Sequence, residues 1–227
     1  MSTYLWIDLA SVVVPVAYSF HPRLRFQRNW PALFAGIGMM MLVFIPWDVL
    51  FTTKAVWGFR QEHLSGLRLL HLPIEEWLFF VCIPFACVFT YHAGVVQVPN
   101  VPTAWARWVV PILVGLLLII GSTHPDRAYT ASTTLLLAIL LALLHWWLRP
   151  IWLPRALLTY GVLLFPFLIV NGLLTGTGIS PEVVWYDDQE NLGIRILTIP
   201  IEDTAYGLLM FLMTVLPYEA LLARRVQ

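Results

Sequence analysis

The sequence predicts an all-α membrane protein. It reads as a polytopic bundle of about seven transmembrane helices, two parallel three-helix repeats joined by one linking helix. Three observations carry this. Of 227 residues, 59% are hydrophobic and 11% charged, with a mean hydropathy of +0.79, beyond an ordinary soluble core. Seven stretches are apolar over close to the ~20 residues that cross a bilayer. One stretch also occurs twice. Gly66-Leu67-Arg68-Leu69-Leu70-His71-Leu72-Pro73-Ile74-Glu75-Glu76-Trp77 recurs 127 positions on, as Gly193-Ile194-Arg195-Ile196-Leu197-Thr198-Ile199-Pro200-Ile201-Glu202-Asp203-Thr204. Gly, Arg, Pro, Ile, Glu and a second acid match without a gap.

In order, the expected spans are 4–20, 31–52, 73–96, 105–121, 129–148, 155–175 and 198–222. The first begins without a basic leader, so it reads as a retained span and not a cleaved signal. Several spans carry internal prolines (Pro15, Pro46, Pro84, Pro111, Pro166, Pro217), which membrane helices tolerate when neighbours satisfy the freed carbonyls. The duplication divides the chain into a first repeat at 1–97, a linking helix at 98–124 and a second repeat at 125–227. A single linking crossing makes both repeats enter from the same side. Arg23, Arg25, Arg28, Arg107, Arg149, Arg155, Arg224 and Arg225 fall on one side; Lys54, Arg60, Arg68, Arg127 and Arg195 fall on the other. The richer side is expected to be cytoplasmic, with the amino terminus outside and the carboxyl terminus inside.

Two loops, 53–72 and 176–197, join the second and third helix of each repeat. Their Trp and charged residues read as interfacial lids against the headgroups. Net charge is zero, so nothing attracts nucleic acid. Cys82 and Cys87 lie about 140° apart around one helix, which precludes their pairing and assigns them to packing. The expected partners are membrane lipid and a substrate drawn from it. The sequence fixes no oligomeric state and allows a homo-oligomer.

The acids mark the site. Asp8, Asp48, Glu75 and Glu76 fall at one depth in the first repeat, and Asn171, Glu202 and Asp203 at the same depth in the second, with Ser132, Thr133 and Thr134 at the level of Asp8. Acids sunk in a membrane are costly, and a cluster of them makes a polar chamber. A single Pro-x-Glu at a helix mouth reads as a cap, since the dipole favours a carboxylate there by roughly 0.3–1 kcal/mol. Consecutive residues point ~100° apart, so both acids cannot cap. One can hold the helix end while its neighbour faces the chamber. Neighbouring carboxyls in an apolar wall keep a proton available for general acid work, while Arg68, Arg195 and the helix dipole favour an ionised partner. Such a pair among aromatic faces suits protonation of an alkene, with the cation stabilised by the rings. Trp77, Phe79 and Tyr206 lie nearest the acids, with Trp47, Trp57, Trp185 and Tyr186 at the rim.

Asp187-Asp188-Gln189-Glu190-Asn191 has the acid content of a magnesium–diphosphate motif. It has no counterpart in the first repeat and no basic cradle, so it reads as a solvated loop face and no metal ligand is assigned.

These residues resemble the flavin-free integral-membrane lycopene cyclases, whose two homologous halves occur as separate subunits or fused, each with a Pro-x-Glu-Glu/Asp motif. Here the motifs are Pro73-Ile74-Glu75-Glu76 and Pro200-Ile201-Glu202-Asp203. Phe44-Ile45-Pro46-Trp47-Asp48, Val56-Trp57-Gly58-Phe59, Leu78-Phe79-Phe80 and Phe20-His21-Pro22-Arg23-Leu24-Arg25-Phe26 are also similar. The resemblance implies both halves in one chain, and cyclisation of the linear ends of lycopene to β-ionone rings through γ-carotene to β-carotene. It implies no cofactor, because a proton is added and another removed. By motif, Glu75, Glu76, Glu202 and Asp203 would do the acid–base work, supported by Arg68, Arg195, Asp48 and Asn171. An intramembrane prenyltransferase using the Asp187–Asn191 cluster, or a non-enzymatic carotenoid or proton-coupled carrier, are the alternatives.

Overall fold

The computed structural model describes residues 2–224. Arg225, counted above on the arginine-rich side, lies outside them. Seven helices run through the described chain: α1 (Thr3–Tyr18), α2 (Trp30–Thr53), α3 (Ile74–Gln97), α4 (Ala106–Thr123), α5 (Ala128–Ala142), α6 (Leu153–Leu174) and α7 (Glu202–Arg224). The last turns of the fifth helix, Leu143–Leu148, widen into a π-helix. Six of the seven are long and apolar enough to cross a membrane. The exception is α1, whose 16 residues reach only ~24 Å at ~1.5 Å each. It starts on Ser2, whose Oγ accepts from Leu5 N, and stops at Tyr18, before the turn at His21-Pro22.

All of these helices except α5 carry an internal proline. Within each repeat the first helix packs on the third, α1 on α3 and α5 on α7. The repeats then cross: α2 packs on α7, and α6 on α3. Gly36 allows the first crossing, since a Cβ there would sit 2.6 Å from Thr214 O. The linking α4 packs along α5. The main core cluster is apolar, with Phe26, Leu33, Met40, Phe44, Phe80 and Phe211 almost fully buried.

The loops hold short strands that periodicity alone does not reveal: β1 (Trp57–Phe59), β2 (Arg68–Leu69), β3 (Leu72–Pro73), β4 (Val184–Tyr186), β5 (Arg195–Ile196) and β6 (Ile199–Pro200). The two loops expected to be lids are not separate. They join each other, because β1 pairs antiparallel with β4 across the repeats, Gly58 opposite Trp185. Arg60 N donates to Val183 O and Asp187 N to Val56 O, both at 2.9 Å, extending that ribbon symmetrically. The Trp185 indole lies on Gly58 so closely that a Cβ would meet it at 2.5 Å. Arg60 also donates Nε and Nη2 to Glu182 Oε1, at 3.1 and 2.8 Å, which holds the Glu182 carboxyl below the usual range.

The other strands form hairpins, β2 with β3 and β5 with β6, just before α3 and α7. Their turns require positive φ at Leu70, His71 and Leu197, an uncommon conformation for residues with a Cβ. The shared arginines meet this need. Arg68 Nη1 donates to His71 O at 2.9 Å, and Arg195 Nη1 to Thr198 O at 2.7 Å. Gly66 and Gly193 open each hairpin at φ +88° and +69°, where glycine is unstrained. The duplicated Gly-x-Arg is therefore a device for folding the hairpin.

Candidate active site

The ribbon and the mouths of α3 and α7 close over one cavity of about 260 Å³. Pro73 is the N-cap of α3, so Glu75 and Glu76 take its second and third positions, one earlier than a proline at the first position would place them. The two acids of each motif then part. Glu76 and Asp203 line the cavity; Glu75 and Glu202 point back under the loops.

The outward-turned pair acts as a clasp. Glu75 Oε1 accepts from Ser65 N at 2.6 Å, and Glu202 Oε1 from Leu192 N at 2.7 Å, matching positions of the repeat. Thr130 Oγ1 adds a 2.5 Å bond to Glu202. Each clasp fastens the loop ahead of its hairpin to the helix that follows it. The second oxygen of both glutamates is buried without a partner among the described residues.

The cavity pair is held by tyrosines. Tyr4 OH donates to Glu76 Oε2 at 2.5 Å. Tyr129, at the matching position of the second repeat, donates to Asp203 Oδ1. Asp203 Oδ2 accepts from Asn171 Nδ2 at 2.7 Å and from Tyr186 OH at 3.1 Å. Burial and the nearby Asp203 carboxyl push the Tyr186 hydroxyl well above its ordinary range, so it stays a donor. Asp48 does not line the cavity. It accepts Trp57 Nε1 at 2.6 Å and so orients an indole that does. The first repeat keeps two further buried acids, Asp8 and Asp48, where the second has Thr133 and Asn171. Both oxygens of Asp8 and Oδ2 of Asp48 lack partners among the described residues.

Trp57, Phe79 and Tyr206 line the cavity, together with Phe59, Tyr129 and Tyr186. Trp77 and Trp185 do not: Trp77 Nε1 donates to Leu69 O at 3.1 Å, and Trp185 covers Gly58. Arg68 and Arg195 are on the hairpins, the latter also bonded to Asp188 at 2.5 Å, and neither reaches a cavity acid. The Asp187–Asn191 stretch is solvated at Asp188 and Gln189, as expected, and its other residues also form a knot. Glu190 Oε2 accepts Ala128 N at 2.9 Å and its carbonyl accepts Tyr129 N, capping α5, while Asn191 is only 1% exposed. Tyr4, Tyr129 and Thr130 were not legible as site residues by type, since buried tyrosines are common in cores. Their signal was positional: Tyr4 and Tyr129 hold the same register before Asp8 and Thr133.

A family model described as Lycopene cyclase matches residues 1–93 and, separately, residues 126–221. The chain belongs to that family. Its double match agrees with a lycopene cyclase domain present twice. No curated protein matches the chain, and no solved structure does. Membership makes this a carotenoid cyclase, an enzyme whose lipophilic substrate resides in the membrane that its apolar helices cross.

One glycine, Gly207, lines the cavity. A Cβ at Gly207 would lie 2.8 Å from Tyr160 OH, which is itself fixed by a 2.6 Å bond to Thr204 O. Gly207→Val is expected to fill the cavity and cut turnover roughly a hundredfold. Pigment conversion per unit of membrane-inserted protein measures this; conversion equal to the parent would show that the space beside Tyr160 is not used.

Proposed function

We propose that the chain is a lycopene β-cyclase with a single catalytic cavity shared by its two halves, Glu76 supplying the proton and Asp203 removing one. The observation that carries this is the placement of the second acid of each motif against one aromatic-lined cavity. The roles follow from the partners. Three donated hydrogen bonds favour the carboxylate form of Asp203. Glu76 receives one, has Asp48 and Asp8 for neighbours, and no cation among the described residues pairs with it, so it is the group that carries the proton.

The steps balance without redox change. Glu76 protonates the terminal alkene of a linear end, leaving a tertiary cation. A nearby double bond of the same chain attacks it, forming one carbon–carbon bond and moving the cation into the new ring. Asp203 takes the adjacent ring proton, giving the ring alkene. A proton passed back from Asp203 to Glu76 resets the site. Trp57, Phe79 and Tyr206 present π-faces to the cation, each worth about 2 kcal/mol when desolvated. The unmatched interval between the two family regions contains α4, which supports reading residues 98–124 as a linker between two repeats.

Expression in a lycopene-accumulating bacterium tests the reaction. The pigment is expected to turn from red to orange-yellow, with γ-carotene and β-carotene resolved by chromatography. Unchanged lycopene beside well-inserted protein would overturn the assignment, and ε-rings would overturn the ring type alone.

A further inference from the structure

We propose that the substrate's polyene chain lies in a groove between α1, α3 and α6 and reaches it sideways from the bilayer past α1 and α6. The matching groove of the second repeat does not lead to the acids. This inference rests on the cyclase reading and adds the route and the seat of the chain.

The cavity does not end beneath the acids. Its lining continues to Ser11 and Pro15 on α1, Ala86 and Thr90 on α3, and Pro166 and Phe167 on α6. From Glu76 to Thr90 is ~21 Å along α3 at ~1.5 Å per residue, far longer than one ring needs. The lining is mostly apolar over that length, Ser11, Thr90 and Tyr160 apart, which suits an extended hydrocarbon continuous with the end held at the acids. The outer faces of both lips are exposed and apolar, with Val13 and Val14 on α1 and Val162 and Phe165 on α6. Each lip has a proline facing the groove, Pro15 and Pro166. Each removes a helix hydrogen bond where the lips must part to admit a chain.

The pseudo-symmetry supplies an internal comparison. The equivalent groove lies between α5, α7 and α2, lined by Leu136, Leu140, Met213, Pro217 and Val43, with a volume of about 790 Å³. No acid lines it. Its path to the acids is blocked by Phe44 and Trp47, whose rings stand 4.9 and 5.2 Å from that of Tyr206, and by fully buried Phe80. The first groove is open at the corresponding places because Phe80 is matched by Gly207 and Trp47 by Val170.

Matched substitutions in the full chain test this. Ser11→Trp and Ala86→Trp fill the first groove; Leu136→Trp and Met213→Trp stand at the equivalent positions of the second. Each is expressed in the lycopene-accumulating host and, combined with Glu76→Gln to stop turnover, purified to measure bound lycopene by absorbance. Both first-groove variants are expected to lose conversion and bound polyene by about tenfold or more, and both second-groove variants to stay within about twofold. Ser11→Leu, the residue type found at 136, covers the case in which tryptophan prevents insertion, and is expected to lower both readouts at normal protein levels. Equal effects from the two grooves, or loss confined to the second, would overturn the proposal. If the parent forms no ring, the cyclase reading fails; lycopene retained by the parent and lost only in first-groove variants would still uphold the groove.

Discussion

Glu76→Gln and Asp203→Asn will each stop ring formation, lowering conversion roughly 10²–10⁴-fold while leaving the protein in the membrane. The amides match the acids in shape. Gln at 76 still accepts from Tyr4, and Asn at 203 still offers an oxygen to Tyr129, although its amide nitrogen replaces the acceptor of Asn171 and Tyr186. What goes is the exchangeable proton at one position and the base at the other. The two variants should fail separately, because one shared cavity leaves neither repeat a spare pair. Conversion in either variant within about threefold of the parent, at equal membrane levels, would remove that residue from the proton chemistry.

A second large effect is expected from Glu75→Ala and Glu202→Ala, for a different reason. Each removes the acceptor for a backbone N–H, of Ser65 or Leu192, and frees the loop that leads into the hairpin ahead of α3 or α7. Ser65 is exposed and Leu192 half-buried, so each freed N–H can turn to water, and what is lost is a hydrogen bond to a carboxylate, about 1.5–3 kcal/mol, enough to populate an open loop. Most activity should be lost, with faster proteolysis at the exposed hairpin around Leu67 and Leu70. Glu75→Gln and Glu202→Gln keep an accepting oxygen and should recover most of both properties. This contrast separates positioning from proton transfer. A Glu75→Gln variant as inactive as Glu76→Gln, with a protected hairpin, would show that the first acid also handles the proton.

The helices were legible because an apolar stretch of fixed length has one stable form in lipid, and the duplicated motif located the acids by repetition alone. The division of labour within each pair was not legible. Glu75 and Glu76 differ in orientation by ~100°, and which one faces inward is set by partners remote in sequence or in the loop, Ser65 N for Glu75 and Tyr4 OH for Glu76. The arginines misled for a related reason. A cation seven residues before an acid suggests an ion pair, yet Arg68 is used by its own turn, where His71 has positive φ. The ribbon between the loops depends on three-residue strands meeting across the repeats, which no local periodicity announces. The Asp187–Asn191 knot was missed similarly, because the backbone it caps, at Ala128 and Tyr129, is remote in sequence.

If the proposed groove is the only one that seats the substrate, a kinetic consequence follows. A linear molecule with two identical tails meets only one place where either can be closed, so the tails must be presented in succession. After the first closure the half-finished molecule has to back out into the bilayer, turn end for end and return. Catalysis is then distributive, and the singly closed pigment builds up whenever fresh starting material outnumbers it.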